Sequence, residues 1–385
     1  MTAQAATGES SDTLDVLGSR ARKGLRRRPT RRTVPAAVLA GTELVHLGGG
    51  ENLPCPGVES IPMAPYARRL GLGSASLALP PAKVHVLHGA VVCPRSRVVV
   101  DRRGRVIAES LSADMLGTVG PDVDEIRHAP LEVAGTVALF RSPWRPHYHT
   151  LVDHLPRAAL LGQPAMRRLG PVTVLHDGPL SEVEERLLRA LLPGRCRLQQ
   201  IPAGRSVLAD RVLLPGYVTR PAAGAIPSWY RRWLDREAAA VRPPAGVGLG
   251  RRIFVDRRGG ARSVVNRGEL DDVLERHGIQ AIDPAVLGAD AQIALFRDAE
   301  LVVGVTGSGL ANLLFSKRAS LVELVAGQEL LPHYFYMTVS KGLGYEYVLA
   351  RPDRGRQSAT ERLARPVQVD TNALDRLLTE RFSND

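Results

Sequence analysis

Aromatic side chains are scarce in this chain: Phe, Trp and Tyr together make up 4% of its 385 residues. A protein that threads single-stranded nucleic acid stacks bases on exposed rings along a basic groove, so this supply argues against that class. Cysteine is scarcer still. Cys55, Cys93 and Cys196 form neither a CxxC pair nor a dense even-numbered framework, which argues against a disulfide scaffold or a cysteine zinc site and suits a reducing cytoplasm. Long apolar runs are missing too. No window approaches the roughly 18 consecutive apolar residues of a membrane span, and the short run Val34–Ala40 is soon interrupted by Glu43.

What the chain does have is enough apolar material, 44% against 23% charged, to build sizeable cores. Its length suggests two of them. The formal net charge is +12, and residues 1–35 contribute strongly to it, with eight Arg or Lys against three Asp or Glu. Residues 1–45 read as a basic, disordered tail that could touch a membrane surface at the inner face. The positive charge spread over the rest suits anionic ligands such as nucleotides, phospholipids or acidic glycans, with no specific nucleic acid.

From Lys83 onward, short β-branched runs at Val84–Leu87, Val91–Val92, Val98–Val100 and Val106–Ile107 alternate with Gly, Pro and Arg turns, which predicts a small antiparallel meander. A strand at Val137–Phe140 and a helix over Tyr148–Leu161 follow. Next come a strand at Val172–Leu175, a helix over Ser181–Leu192 with Ser181 and Glu184 in a capping box, and a strand at Val212–Leu214. The Pro- and Gly-dense stretch 242–250 reads as a linker between an N-terminal domain, 46–241, and a second domain, 251–350.

In the second domain strands at Arg252–Val255, Gln280–Ile282, Leu301–Val305 and Ser320–Leu324 alternate with helices at Asn266–His277, Ala289–Arg297 and Gly309–Phe315. That alternation predicts a doubly wound parallel sheet that binds ligands at the carboxyl ends of its strands. Residues 351–385 form an extension, in which Thr371–Phe382 is an amphipathic helix that packs on one of the cores.

The sharpest local feature is the run from Leu301 to Asn312, in which a buried strand enters a helix through Thr306-Gly307-Ser308-Gly309. Glycine permits positive φ and close backbone approach, and a helix start offers unpaired N–H groups to a diphosphate. Packing alone can also call for such a turn. The spacing of Gly304, Gly307 and Gly309 is not GxGxxG, and no Gly-Lys-Ser/Thr follows, which argues against a nicotinamide dehydrogenase and a Walker A site.

Several pieces together resemble glycosyltransferase family 61. They are Ile253–Asp256 with Arg257 and Arg258, Arg262-x-Val-x-Asn266, Gln292, Leu295-Phe296, Gly304, Gly307-Ser-Gly309, Leu310-Ala-Asn312, Phe315 and Val322-Glu323-Leu324. Upstream, His149-Thr-Leu-Val-Asp153-His-Leu-Pro-Arg157 is similar to that family's segment of His, a bulky residue, Asp and Leu-Pro-Arg, and the ordered set covers roughly residues 83–350.

The resemblance implies a GT-B-like α/β architecture, two Rossmann-like doubly wound domains facing across a cleft. It also implies an inverting transferase that moves a sugar from a nucleotide diphosphate, a UDP-sugar for preference, to a glycan or lipid-linked glycan acceptor, in surface or capsular polysaccharide synthesis. It implies no metal and no cofactor beyond that co-substrate. The chemistry then needs a base near the acceptor hydroxyl and positive charge near the departing diphosphate.

Asp153 is the candidate base, with His149 one turn earlier as its partner or as the base itself; the alternative is that Asp153 pairs with Arg157 on a solvated face. His147 and His154 are expected to point elsewhere. One of Arg257 and Arg258 would meet the diphosphate, with Thr306, Gly307, Ser308, Gly309, Leu310 and Asn312 around it. Glu323 would accept from the donor ribose or serve as a capping or ion-pairing residue, and Asn266 would face the donor or cap the following helix.

The chain departs from the family pattern at three places: Thr306 stands where the family usually has His, Arg267 where it often has Glu, and Thr150 where it often has an aromatic residue. A competing reading is a transferase-like scaffold that binds nucleotide or glycan with little or no turnover.

Overall fold

The computed structural model describes residues 32–69, 71–112, 115–145, 147–219, 223–242, 250–256, 262–326, 330–349 and 366–382. Among these residues the fold is mixed α/β with two main sheets.

The second sheet positions the site. Its strands Gln280–Ile282, Arg252–Val255, Leu301–Val305, Ser320–Val325 and Gly344–Leu349 lie side by side in that order, all parallel. The first two are reversed relative to chain order, so the topology switches direction between Arg252–Val255 and Leu301–Val305. There the connections leave on opposite faces and a crevice opens beyond the strand ends. Leu301–Val305 is buried on both faces, as a central parallel strand of continuous apolar residues should be.

Among the described residues the first sheet has ten strands, and the strand Val207–Pro215 is its hub. On one side Val207–Pro215 pairs in parallel with Leu131–Leu139, which continues in parallel to Val172–Asp177 and Cys196–Ile201. On the other it pairs antiparallel with Ala82–Leu87 and Val91–Cys93. The predicted meander is therefore divided. Strands Val91–Cys93, Val98–Val100 and Val106–Ile107 do run antiparallel to one another, but Ala82–Leu87 joins Val207–Pro215 and Glu43–Gly48 instead.

Part of the predicted tail is also structured. Thr33–Val34 pairs with Val106–Ile107, and Glu43–Gly48 adds to the sheet through Ala82–Leu87. Residues 1–31 and most of the linker, 243–249, lie outside the described residues.

Helix Glu182–Leu191 starts on the capping box foreseen from Ser181 and Glu184, with both reciprocal bonds present. Helix Ser228–Ala240, not among the predicted elements, precedes the linker yet packs against Ala289–Asp298, Ser308–Phe315 and His333–Lys341. The largest apolar cluster accordingly mixes Leu155, Leu187, Tyr230 and Leu234 with Ile253, Phe296 and Phe315. The C-terminal helix Thr371–Phe382 buries Leu374 and Leu378 in the core of the second sheet. No helix among the described residues is long and apolar enough to cross a membrane.

Candidate functional site

At the switch point of the second sheet a cavity of about 620 Å³ opens between the two halves. Val255 and Asp256 at the end of one strand, and Ser308 and Gly309 after its neighbour, form one wall. His147 and the capped start of helix Glu182–Leu191 form the opposite wall, and Asp283–Gly288 make the rim. Val286 stands there 79% exposed.

The turn into the cavity differs from expectation in its reason. Gly307 has φ of 177°, extended backbone open to any residue, and neither Gly304 nor Gly309 is left-handed. What these glycines supply is proximity. A Cβ on Gly304 would lie 2.8 Å from Leu310 Cδ2 and 3.2 Å from Val255 Cβ, and one on Gly309 would lie 3.2 Å from Val255 Cγ1. The element that follows, Ser308–Phe315, is a 3₁₀ helix. Leu310 is buried in the core beneath it, a packing residue.

Asn312 and His147 join the halves across the cavity. Gln292 Nε2 donates to the Leu287 carbonyl at 2.8 Å, so its Oε1 accepts from Asn312 Nδ2 at 3.4 Å. Asn312 Oδ1 is then the acceptor for His147 Nε2–H at 2.9 Å, which fixes the neutral tautomer with Nδ1 unprotonated. Burial pushes the His147 imidazole below its ordinary value, against the Asn312 hydrogen bond and the Glu184 charge. Helical spacing alone points His147 away from the His149–Asp153 pair, and its meeting with Asn312, far along the chain, leaves no local signal in the sequence.

His149 and Asp153 converge as an i, i+4 pair. His149 Nδ1–H donates to Asp153 Oδ2 at 2.5 Å, and Thr219 Oγ1 donates to Asp153 Oδ1 at 3.1 Å. The pair lies on a helical segment whose turn Thr150–His154 is a π-helix, a local widening common at functional sites. Asp153 is 0% exposed, while the His149 side chain keeps 13%. Of the two, only His149 presents an edge to solvent.

Arg157 takes no part in this pair. Its Nε donates to the Pro215 carbonyl at 3.0 Å and its guanidinium lies over the Tyr217 ring. His154 is buried with Nε2 3.0 Å from Ser142 Oγ, and burial holds it well below the usual histidine range.

The His149 ring stacks on Trp144 with centroids 5.0 Å apart and meets the edge of Tyr148. Tyr148 in turn touches Tyr334, whose hydroxyl donates to the Gly307 carbonyl at 2.5 Å. The glycine turn is thus flanked by the His147–Asn312 cavity on one side and by the Tyr334–Tyr148–His149 row on the other.

Thr306 and Glu323 form a separate unit behind the turn. Thr306 Oγ1 donates to Glu323 Oε1 at 2.6 Å, Tyr345 Oη donates to Oε2 at 2.7 Å, and Arg262 Nη1 donates to the Thr306 carbonyl. Glu323 is buried, and that burial pushes its carboxyl up to about 7 despite the Thr306 and Tyr345 hydrogen bonds and the Arg262 charge. Asn266 neither caps its helix nor reaches the cavity. Its amide exchanges two bonds with the Val369 backbone, 2.9 Å as donor and 3.0 Å as acceptor.

Arg267, the departure from the family's Glu, holds Asp256 at 2.7 Å. Thr150, another departure, donates to Glu184 Oε1 at 3.3 Å. Arg257 and Arg258, which follow Asp256 in the sequence, lie outside the described residues. No group of three or more metal-type ligands occurs among the described residues.

Residues 147–322 match the model of the family described as Glycosyltransferase 61, a stretch that runs from the first cavity histidine to the strand bearing Glu323. No curated protein matches the chain.

Proposed function

The chain belongs to glycosyltransferase family 61 and is a glycosyltransferase, and from that premise we propose an inverting transfer from a nucleotide diphosphate sugar, UDP-linked for preference, between two halves arranged in the GT-B manner. The observation that carries this reading is the placement of the cavity at the sheet's switch point, with the Ser308–Gly309 helix start on one wall and His147 of the other half opposite. The nucleoside lies in that cavity with its base against the apolar rim at Val286 and Leu287. The diphosphate lies along the turn, beside the first N–H groups of the helix, and Arg257 or Arg258, the residues that follow Asp256 in the sequence, would supply its positive partner.

The acceptor hydroxyl comes from the His149 flank. As its oxygen bonds to the anomeric carbon, its proton passes to His149 Nε2, and the bond from that carbon to the diphosphate oxygen breaks with its electron pair leaving on the diphosphate. Asp153 holds Nδ1–H and so keeps Nε2 free to accept. Asp153 is thus a positioning residue and His149 the base.

A thermal-shift series with UDP, GDP and ADP tests the donor class, because a ligand that binds the folded state raises the melting temperature by mass action. UDP is expected to raise it most. Hydrolysis of UDP-sugars without acceptor then separates enzyme from scaffold: turnover in the wild type that falls in Asp153→Asn supports transfer chemistry. Equal, near-zero rates in both would leave only a nucleotide-binding scaffold.

A further inference from the structure

A second pocket, of about 430 Å³, lies where three helix ends meet: the close of Leu155–Leu160, the close of Glu182–Leu191, and the first turns of Ser228–Ala240. Trp229, Arg232, Trp233 and Arg236 recur at i, i+3, i+4 and i+7 along the last of these and all line the pocket.

The other charges of that helix are committed. Arg231 donates to the Ser340 carbonyl, Asp235 accepts from Lys341, and Glu237 pairs with Arg186. Arg232 and Arg236 are exposed and have no hydrogen-bond or ion-pair partner among the described residues. Trp233 is braced by stacking on Tyr230, 5.6 Å between centroids and 13° between planes, and Trp229 by the Tyr230 edge. Rings held in this way lose little freedom when a ligand arrives.

We propose that this pocket binds an anionic saccharide unit of the acceptor glycan, one bearing a carboxylate or phosphate. A pyranose presents C–H groups that suit the electron-rich face of an indole, and two unpaired guanidinium forks match an anionic substituent. The pocket is concave, which suits a sugar unit better than a flat lipid surface.

Its position agrees. The transfer cavity touches helix Glu182–Leu191 at Val183, and this pocket touches it at Ala190 and Leu191. Seven or eight residues at 1.5 Å each separate these two sets of lining residues, roughly 12 Å along one shared helix. The inference rests on the glycosyl-transfer reading for the word acceptor, but its binding test does not.

Isothermal titration with trigalacturonate and with its uncharged methyl ester, on the full chain and on Arg232→Gln/Arg236→Gln and Trp229→Ala, decides it. The charged trimer should bind the wild type at least about tenfold more tightly than the ester, and the double variant should lose that preference while melting like the wild type. Trp229→Ala should weaken both sugars. Equal binding of the two trimers, no binding of either, or affinities unchanged in the variants would overturn the proposal. So would retention on phosphatidylglycerol vesicles through both arginines without any saccharide binding. UDP-sugar hydrolysis measured on the same samples reports the transfer reading separately, so either can fail alone.

Discussion

At the scale of single residues, the pairing of His149 with a carboxylate that no solvent reaches separates two roles that spacing along a helix leaves merged. With Asp153 0% exposed and bonded to both His149 and Thr219, Asp153→Asn should keep the fold but let the imidazole take the wrong tautomer. Turnover should drop by about 100-fold or more with little change in acceptor KM. His149→Gln should lose a similar factor, and the double variant no more than either alone, because the two act as one unit. Additive losses in steady-state rates would separate them. Glu323 gives a prediction of stability. Its folded carboxyl sits at about 7 against an ordinary 4.5, so the folded state holds its proton more tightly than the unfolded one. Its contribution to stability is therefore full below about 4.5 and is lost as pH rises to about 7. Glu323→Gln has no proton to lose, and its amide can still pair with the Thr306 and Tyr345 hydroxyls. Urea denaturation at pH 5 and pH 8 should show the variant gaining on the wild type at the higher pH by on the order of 2 kcal/mol. A constant difference across that range would count against a buried, weakly compensated carboxylate.

At the scale of elements, the strand Leu301–Val305 and the 3₁₀ helix Ser308–Phe315 depend on contact between Gly304, Leu310 and Val255. Gly304→Ala should force Leu310 from its site and cost about 1–3 kcal/mol, as overpacking in a tight core does. A melting curve checks this, and the added truncation Leu310→Ala should recover part of the loss. The boundaries of this region were legible because its signals are local: Arg252–Val255, Gln280–Ile282, Leu301–Val305 and Thr371–Phe382 stand where β-branched runs and helical periodicity put them. Ser181 with Glu184 was equally plain, since a capping box is written within four residues. Strand Cys196–Ile201 was not legible, because Arg197, Gln199 and Gln200 disguise an edge strand whose pairing comes entirely from Val172–Asp177. Nor was Ser228–Ala240, whose two tryptophans and scattered arginines blur the apolar stripe of Tyr230, Leu234 and Ala238. Within the site, the His149–Asp153 pair was readable from its i, i+4 spacing. The His147–Asn312 bond spans 165 residues of chain, and the attachment of Asn266 to Val369 spans 103; no pattern in a window reports such distances.

At the scale of the whole molecule, the packing boundary does not follow the chain boundary. Helix Ser228–Ala240 comes before the linker stretch, yet it lies against Ala289–Asp298, Ser308–Phe315 and His333–Lys341, and Asp235 accepts from a Lys341 side chain that is 1% exposed. The largest apolar cluster runs through both halves without a break. An interface of this kind is continuous core, and separating the halves would uncover Phe315 and its neighbours at about 25 cal/mol per Å² of apolar surface. Unfolding should therefore follow one transition by both circular dichroism and tryptophan fluorescence, even though the chain carries two main sheets. Residues 250–385 expressed alone should aggregate or remain unfolded, and co-expression with residues 1–249 should recover soluble material. If the fragment folds unaided, with a sharp melting transition of its own, the two halves are independent bodies. The cavity between them would then owe its shape to the link between His147 and Asn312 rather than to a shared core.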